Sequence, residues 1–320
     1  MTKQDNGVWT VTTPVLNPEL YSYSLSVDGQ RFIDPANSYV NRDISTLSNI
    51  FIVSKEENDK GHLYQVNDVP HGTLSRVWYD SPTLGQQRRM TVYLPAAYDG
   101  KKKFPVMYLL HGHGGDETAW GDLGRTSQIM DNLIAQGKCV PMIVVMPNGN
   151  ASQEAAPGET SQGLAQPSFM LPKTMDGSFE SAFPEIVNFI DKTYRTRRHK
   201  ASRAIAGLSM GGFHAMHVSK EYPDMFDYVG LFSAAVFRGE AEKSDVYAGM
   251  EDKLKTQFAK RPKLYWIAIG CEDFLYEENV EYRKLLDSNS FQYEYYESAD
   301  GHIWKNWRIY LSEFVPRLFK

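Results

Sequence analysis

The stretch "AIAGLSMGGFHAM", residues 204–216, interrupts an apolar run with Gly-Leu-Ser-Met-Gly-Gly before a helix-like pattern resumes. It contains the motif G-x-S-x-G between a strand pattern and a helix pattern, which is the context that gives this motif meaning. Glycines on both sides of Ser209 let the two backbones approach where a Cβ atom would clash, and the sharp turn projects the serine hydroxyl above the sheet. The alternative is a glycine-rich turn with an incidental serine. The strand-to-helix context favours Ser209 as a nucleophile.

From residue 72 onward, the sequence alternates near-continuous apolar runs with amphipathic helical patterns. The stretch "SRVWYDSPTLGQQRRMTVYLP" (75–95) is typical of two antiparallel strands, and later apolar runs include "FPVMYLLHG" (104–112), "VPMIVVMPNG" (140–149) and "KLYWIAIG" (263–270). Buried strands that alternate with helices predict a mostly parallel sheet with helices on both faces. Together with the serine turn, this pattern predicts an α/β-hydrolase fold for residues 72–320.

Residues 1–71 have a different sequence pattern from the rest of the chain. Short β-branched or aromatic runs are separated by Asn, Asp, Pro and Gly: "GVWTVTT" (7–13), "YSYSLSVDG" (21–29) and "NIFIVSK" (49–55). Such runs predict short strands, and no helical period of useful length occurs before residue 100. We therefore predict a small β-sandwich module ahead of the α/β domain.

Composition places the chain among globular proteins, since 42% of its residues are apolar and 23% are charged. The net charge of −5 and the lack of a dense basic run argue against nucleic-acid binding. No apolar stretch approaches the roughly 20 residues of a membrane span. The start, "MTKQDNGVWT", lacks the apolar core of a signal peptide. Cys139 and Cys271 do not have metal-ligand spacing, and each is expected to be a small buried residue.

A serine hydroxyl needs a base, and the base needs a carboxylate that orients it. In α/β-hydrolases these residues follow the serine in the order carboxylate, then histidine, each beyond a later strand. A strand that ends at Gly270 delivers Glu272 and Asp273, and the last strand delivers His302 before the final helix. Of the eight histidines, His302 alone lies after these carboxylates. We prefer Asp273 to Glu272, because the residue nearer the turn reaches across to the imidazole more easily.

An oxyanion formed at the serine requires two backbone N–H donors. The Met210 N–H, directly after the serine, is the first candidate. The second is expected in the loop "LLHGHGGDETAW" (109–120), whose glycines allow N–H groups to point inward, with His113 the preferred donor. Alternatively, His111 and His113 would form a metal pair, but no acidic partner at ligand spacing accompanies them. No metal and no cofactor are therefore expected.

One long irregular segment, residues 148–178, is rich in Gly, Ser, Pro and Gln. It follows the carboxyl end of a strand, where open α/β sheets bind ligands. Loops of this length in compact domains are usually functional or disordered, and we predict that this one forms a lid or a substrate wall. Phe169 and Met175 in this segment, with Trp304 after the candidate base, are the predicted substrate contacts. The alternative for each of them is that it anchors a loop to the core.

The chain resembles the feruloyl and acetylxylan esterases of carbohydrate esterase family 1, the esterase D type, over nearly all of residues 72–320. The resemblance rests on the two motif segments quoted above and on "IVVMPNGN", "FESAFPEIVNFID", "FDYVGLFSAA", "GCEDFLYEEN" and "GHIWKNWRIYL". It implies a catalytic triad and two oxyanion donors at Ser209, Asp273, His302, His113 and Met210. Residues 1–71 look like a carbohydrate-binding module of family 48, or a related immunoglobulin-like β-sandwich, through "YSYSLSVDGQRFIDPANSYV" (21–40). Such modules normally begin with strands that this chain lacks, so the module is predicted to be incomplete.

The resemblance implies a serine esterase that removes hydroxycinnamoyl groups such as ferulate from plant xylan. Feruloylated or acetylated arabinoxylan and xylo-oligosaccharides are the implied partners, with no nucleic acid and no membrane span. Family members are typically exported by polysaccharide-degrading bacteria, which implies an extracellular or periplasmic location. The alternatives are an acetylxylan esterase with the same triad, an acyltransferase, a thioesterase acting on formylglutathione, and a non-catalytic glycan-binding protein on a hydrolase scaffold.

Two further expectations follow from the placement of these residues. The apolar residues of the segment 148–178 favour an aromatic acyl group over acetyl. No proposed catalytic residue precedes His111, so residues 1–70 are expected to be dispensable for the hydrolysis of small esters.

Overall fold

The structure is a computed structural model that describes residues 1–57, 59–239 and 242–320. Its amino-terminal elements are β1 (Thr2–Lys3), β2 (Trp9–Thr10), β3 (Glu19–Tyr23), β4 (Leu25–Val27), β5 (Gln30–Phe32), β6 (Val40–Asp43), β7 (Thr46–Val53) and α1 (Lys60–Tyr64). They are followed by β8 (Thr73–Ser81), β9 (Gln86–Leu94), β10 (Val106–Leu110), α2 (Ala119–Asp122), α3 (Thr126–Ala135), β11 (Ile143–Pro147), α4 (Ser178–Thr193), β12 (Arg203–Leu208), α5 (Met210–Glu221), β13 (Tyr228–Phe232), α6 (Met250–Ala259), β14 (Leu264–Gly270), α7 (Tyr276–Ser288), β15 (Glu294–Ser298) and α8 (Trp304–Phe314).

The strands β8 to β15 form one sheet in the order β15-β14-β13-β12-β10-β11-β9-β8. The pairings from β11 to β15 are parallel, whereas β9 pairs antiparallel with both β11 and β8. Side chains of α4 to α7 pack on one face of the sheet and those of α3 and α8 on the other, which leaves β10, β11, β13 and β14 fully buried. This architecture confirms the predicted α/β-hydrolase fold. Within the described ranges, no helix has both the length and the apolar composition of a membrane span.

The amino-terminal region is rich in short strands, in agreement with its sequence pattern. The strands β3, β7 and β6 form an antiparallel sheet, and β1–β2 and β4–β5 form two separate hairpins. The structure adds one short helix, α1, which no sequence period indicated. Asp59 caps this helix by accepting a hydrogen bond from the His62 N–H, and five residues are too few to leave a periodic pattern.

The amino-terminal region packs directly on the α/β domain. Leu20, Ile50 and Ile52 of its three-stranded sheet join the hydrophobic cluster that α3, α8 and the main sheet form. Arg308 of α8 donates hydrogen bonds to the Glu19 carboxylate at 3.0 Å and to the Leu20 carbonyl at 3.1 Å, and both charged side chains are buried. The boundary near residue 71 therefore separates two regions with different sequence patterns, but residues of both regions pack in one hydrophobic core.

Candidate active site

Ser209 occupies the sharp turn between β12 and α5. Its backbone has φ 53° and ψ −116°, a strained conformation, and the residue is 8% exposed. A Cβ atom on Gly207 would lie 2.4 Å from the Gly211 carbonyl, and one on Gly211 would lie 2.3 Å from the Leu110 carbonyl oxygen. Both positions therefore require glycine, and this close approach is the one that the motif implies.

The structure brings Asp273 and His302 together after β14 and β15. His302 Nδ1 lies 2.8 Å from Asp273 Oδ2 and 3.0 Å from Asp273 Oδ1. The Asp273 carboxylate is buried, and its Oδ1 also accepts a hydrogen bond from the Leu275 N–H at 2.9 Å. Glu272, the other carboxylate considered from the sequence, is exposed to solvent. Of these two carboxylates, Asp273 is the one that contacts the His302 imidazole in this structure.

Ser209 and His302 line one cavity of about 930 Å³. The α/β domain contributes the loop 112–116 after β10, the turn after β14 and the start of α8. The amino-terminal region contributes another part of the wall, with residues of β3 and β7 and the whole of 41–46. The cavity therefore lies between the two regions that differ in sequence texture, and the amino-terminal region forms part of the site.

His111 supports the loop 112–116. Its Nε2 accepts a hydrogen bond from the Gly149 N–H at 2.7 Å, so Nδ1 carries the proton and donates to the Gly112 carbonyl at 2.8 Å. Burial lowers the pKa of His111 to about 4, which keeps the imidazole neutral. Both ring nitrogens are thus engaged in hydrogen bonds, an arrangement that suits a structural support rather than a metal ligand.

The two proposed oxyanion donors come from different parts of the chain: Met210 directly follows Ser209, and His113 lies in the loop after β10. Met210 is the first residue of α5, so its N–H has no acceptor within the helix. His113 lies in the loop 112–116 and lines the cavity beside Ser209. Burial lowers the pKa of the His113 imidazole to about 4, and its ring centroid lies 5.3 Å from that of Phe169.

Of the three predicted substrate contacts, the structure places Phe169 and Trp304 in the cavity wall. Phe169 is 56% exposed and reaches the cavity from the segment 148–178. Trp304 packs edge-on against Trp120, with ring centroids 5.3 Å apart. Met175 packs against a small apolar cluster beside α5 instead of lining the cavity. Its placement supports the alternative that it anchors the segment to the core.

Other cavity residues were not identified from the sequence. Phe274 is 73% exposed, and its ring centroid lies 4.5 Å from that of His302. Its position directly after Asp273 was an available signal for a contact near the base. Residues 41–46 offered no such signal, because only the packing of the amino-terminal region brings them to the cavity.

The segment 148–178 divides into an anchored part and an exposed part. Arg88 is fully buried and donates hydrogen bonds to the carbonyls of Asn148 and Asn150, at 2.5 and 2.9 Å. Residues 161–173, which include Phe169, are almost all exposed. The anchored part fixes the entry of the segment at the end of β11, whereas the exposed part has few buried contacts and reaches the cavity through Phe169.

The two cysteines have different environments. Cys139 is buried, and this burial raises the pKa of its thiol to about 12. Cys271 is exposed, so the expectation that it is buried is wrong: it lies in the turn just after β14 rather than in the strand. Among the residues that the structure describes, no group of three or more His, Cys, Asp or Glu side chains is arranged to hold a metal ion.

The mostly parallel sheet, the strand–serine–helix turn and the Asp273–His302 pair define an α/β-hydrolase. A sequence profile described as putative esterase matches residues 81–318. The chain belongs to this esterase family.

Named relatives and solved structures of esterases resemble the chain. An endo-1,4-beta-xylanase/feruloyl esterase of Xylanibacter ruminicola is 32% identical over 327 residues, which cover 99% of this chain and 41% of the relative. An acetyl esterase of Caldicellulosiruptor saccharolyticus is 23% identical over 65% of this chain and 80% of the relative. A solved ferulic acid esterase of carbohydrate esterase family 1 from Anaeromyces mucronatus, in complex with ferulic acid, is 25% identical, with a TM-score of 0.68 over 82% of this chain and 96% of that chain. This chain spans less than half the length of the Xylanibacter relative and of an Acetivibrio thermocellus endo-1,4-beta-xylanase, 41% and 22% respectively.

Proposed function

We propose that the chain is a serine carboxylic ester hydrolase that releases hydroxycinnamoyl groups of the ferulate type from plant cell-wall xylan. The observation that carries the proposal is that Ser209 and His302 line one large cavity, while Asp273 Oδ2 lies 2.8 Å from His302 Nδ1. The Xylanibacter relative, named for xylanase and feruloyl esterase activity, and the fungal ferulic acid esterase support it. Because polymeric xylan does not cross a membrane intact, we place the activity on the polymer outside the cell; for xylo-oligosaccharides, which are short enough to pass an outer membrane, the periplasm is the alternative place.

In the proposed acylation step, Ser209 Oγ attacks the ester carbonyl carbon while His302 Nε2 takes the hydroxyl proton. The carbonyl electron pair moves onto the oxygen, and the N–H groups of His113 and Met210 stabilise the resulting oxyanion. When the oxyanion collapses, the bond between the acyl carbon and the sugar oxygen breaks, and His302 donates its proton to that oxygen. Asp273 holds the other ring nitrogen, Nδ1, which keeps Nε2 free to accept the proton.

In the proposed deacylation step, the same groups act on water. The water oxygen attacks the acyl carbon and gives a proton to His302 Nε2. The bond to Ser209 Oγ then breaks, and His302 returns the proton to the serine. The products are a free carboxylic acid and the unmodified enzyme, so water is the only co-reactant.

The size and lining of the cavity favour an arylacrylate over acetate as the acyl group. Its volume of about 930 Å³ far exceeds the need of an acetyl group, since whole ligand pockets span roughly 300–1,000 Å³. The apolar side chains of Ile44, Phe169 and Trp304 line it together with the polar side chains of Asn41 and Ser48. A wall that combines apolar side chains with polar groups suits an aromatic ring that carries a hydroxyl.

Acetylxylan esterase is the second candidate, favoured by the similarity to the Caldicellulosiruptor acetyl esterase. It would use the same nucleophile, base and oxyanion donors. The two candidates differ only in the acyl group that the cavity accepts.

The deciding experiment incubates the protein with feruloylated arabinoxylan and, separately, with acetylxylan, and then identifies the acid released. We expect ferulate release to dominate and Ser209→Ala to abolish it. The ratio of kcat/KM for methyl ferulate to that for an acetyl ester with a comparable leaving group gives the same comparison on small substrates. Preferential acetate release would assign the chain as an acetylxylan esterase, and release of neither acid by well-folded protein would refute both candidates.

A further inference from the structure

The turn between β6 and β7 holds a residue in a strained conformation. The two strands pair Asp43 with Thr46, which leaves Ile44 and Ser45 as a two-residue turn. Ile44 has a φ of 55°, in the left-handed region that is exceptional for β-branched residues and that glycine or asparagine normally supplies in such turns. Strained residues persist where the surrounding structure imposes the conformation, and they cluster at functional sites.

Arg42 ties this turn to the loop 112–116. Its Nη1 donates to the Ile44 carbonyl at 2.8 Å, and its Nη2 donates to Asp116 Oδ2 at 2.6 Å. Asp116 is 2% exposed. Burial alone would raise the pKa of Asp116, but hydrogen bonds from Thr118 and Arg42 outweigh it and hold the pKa below its usual value. Arg42 therefore bonds an ionised, buried carboxylate at one end of the loop, which is a strong type of hydrogen bond.

The Ile44 side chain contacts the same loop at Gly114. A Cβ atom on Gly114 would lie 2.6 Å from Ile44 Cγ1 and 3.0 Å from Cδ1 and Cγ2. Gly114 itself has a φ of 71°, which only glycine adopts readily. The Ile44 side chain thus packs against the backbone of Gly114. Gly114 directly follows His113, one of the two proposed oxyanion donors.

We propose that Arg42 and Ile44 are positioning residues that hold the loop 112–116, and with it the His113 N–H, for the oxyanion formed at Ser209. The inference deepens the proposed function and rests on it. Three glycines, at positions 112, 114 and 115, leave the loop backbone free to vary unless contacts restrict it. Oxyanion donors act strongly because they are already in place when charge develops, so restricting this loop favours the reaction.

This role conflicts with the expectation that residues 1–70 are dispensable for small esters. It also differs from a simple substrate wall in what it predicts. A wall that only contacts the acyl group changes KM, and it does so most for the larger acyl group. A turn that positions an oxyanion donor changes kcat for every ester, because each ester forms its oxyanion at the same place.

The first test measures kcat and KM of full-length Arg42→Gln on methyl ferulate and on an aryl acetate. We expect kcat to fall by about tenfold or more on both esters, since misplacing a catalytic group by about 1 Å costs up to ~100-fold. KM should change by less than about twofold if ground-state contacts are kept. Arg42→Lys, which keeps the charge but not the forked geometry, should retain an intermediate kcat.

The matched control is Asn67→Ala. Asn67 also joins the amino-terminal region to the α/β domain, through a 3.0 Å hydrogen bond to Asn132 of α3, and it does not line the cavity. Loss of this bond weakens the packing between the two regions without touching the loop 112–116. Its kcat should match that of the unmodified protein on both esters.

A second variant, Ile44→Gly, separates positioning from folding. Glycine relieves the strain at a φ of 55°, so the Tm should stay close to that of the unmodified protein while kcat falls on both esters. The rate at which a fluorophosphonate labels Ser209 should fall in parallel, because the phosphonyl oxygen occupies the oxyanion position. This variant keeps the test decisive even where Arg42→Gln folds poorly.

Two results would overturn the inference. One is an unchanged kcat in both Arg42→Gln and Ile44→Gly. The other is a change confined to KM for methyl ferulate, which would make the turn a substrate wall only. Failure of the proposed function has a different signature: the unmodified protein would hydrolyse neither ester and would not be labelled at Ser209.

Discussion

The turn 43–46 and the segment 161–173 reach the same cavity from distant parts of the chain, and they differ in how firmly each is held. Arg42 fixes the turn by bonding both the Ile44 carbonyl and the Asp116 carboxylate. Residues 161–173, in contrast, are almost all exposed to solvent. Segments with few buried contacts open and move at lower free-energy cost than those tied into a core.

The difference separates two demands on an esterase. The oxyanion forms at the same place for every ester, so the groups that hold its donors need a fixed geometry. The acyl group varies between substrates, and Phe169 stands in the exposed segment, where a side chain adapts at little cost. We infer that the firmly held turn serves the reaction, whereas the exposed segment serves the choice of acyl group.

We expect the largest effect from removing the proposed nucleophile, because the proposed hydrolysis of every ester depends on it. Ser209→Ala should lower kcat by roughly 10⁴–10⁶-fold, because it removes the hydroxyl that attacks the ester in the proposed reaction. Thermal unfolding should change little, since the neighbouring glycines set the backbone of the turn. Calorimetric binding of methyl ferulate to this inactive variant then isolates ground-state contacts: adding Phe169→Ala should weaken binding more than adding Arg42→Gln. Near-normal turnover by a clean preparation would eliminate Ser209 as the nucleophile.

The next largest effect concerns Asp273, the carboxylate that contacts the proposed base His302. The same carboxylate serves the hydrolysis of both feruloyl and acetyl esters. Asp273→Asn should lower kcat by about 10⁴-fold on both esters, because an amide no longer favours the required imidazole tautomer. Glu272→Gln is the matched control and should keep nearly full activity, since Glu272 is exposed. If Glu272→Gln proved the more damaging change, Asp273 would not be the orienting carboxylate.

A third prediction concerns His111, which supports the loop 112–116 through its hydrogen bond to the Gly112 carbonyl. The pKa of His111 is about 4 in the folded protein, and an unfolded histidine titrates near 6.5. As the pH falls, the unfolded chain binds a proton at this histidine before the folded protein does. The stabilisation that neutral His111 provides is therefore complete above about pH 6.5 and is lost as the pH falls toward 4. The pKa difference corresponds to at most about 3 kcal/mol. Denaturant unfolding at pH 7 and pH 4.5 should show a smaller loss in His111→Gln, and equal losses would contradict the buried neutral state.

The smallest effect tests the exposed segment directly. Phe169→Ala should raise KM for methyl ferulate by about tenfold, or ~1.4 kcal/mol, through loss of an aromatic contact, and should hardly affect an aryl acetate. Leu164→Ala is the control, because Leu164 is 87% exposed in the same segment and does not line the cavity. A matching fall in kcat on both esters would erase the distinction between the two segments.

The fold and the order of the candidate residues were accessible from the sequence because they depend on local patterns. Apolar runs alternating with helices specify a parallel sheet, and the glycines around Ser209 specify a tight turn. Asp273 and His302 each follow a later strand, and the carboxyl ends of parallel strands meet at one edge. The sequence therefore predicted that Asp273 and His302 meet, although it did not predict how far each residue is exposed, as Cys271 shows.

The amino-terminal wall of the cavity was not accessible in the same way. A left-handed isoleucine has no sequence signature, because such turns normally carry glycine or asparagine. The Arg42–Asp116 contact joins residues that are 74 positions apart, and nothing in either neighbourhood indicates the other. Phe169 and Met175 share one segment and similar apolarity, and only the packing of the segment sends one to the cavity and the other to the core.

The buried bond between Glu19 and Arg308 has a consequence for how the chain is made. The two residues are 289 positions apart, and ribosomes add roughly 5–20 residues per second, so β3 emerges about 15–60 s before α8 is synthesised. Throughout that interval Leu20 and its neighbours lack the helix that covers them, and newly made apolar surface of this kind is prone to aggregate. The synthesis of α8 thus sets the earliest moment at which the sheet β3-β7-β6 gains its buried contacts with this helix.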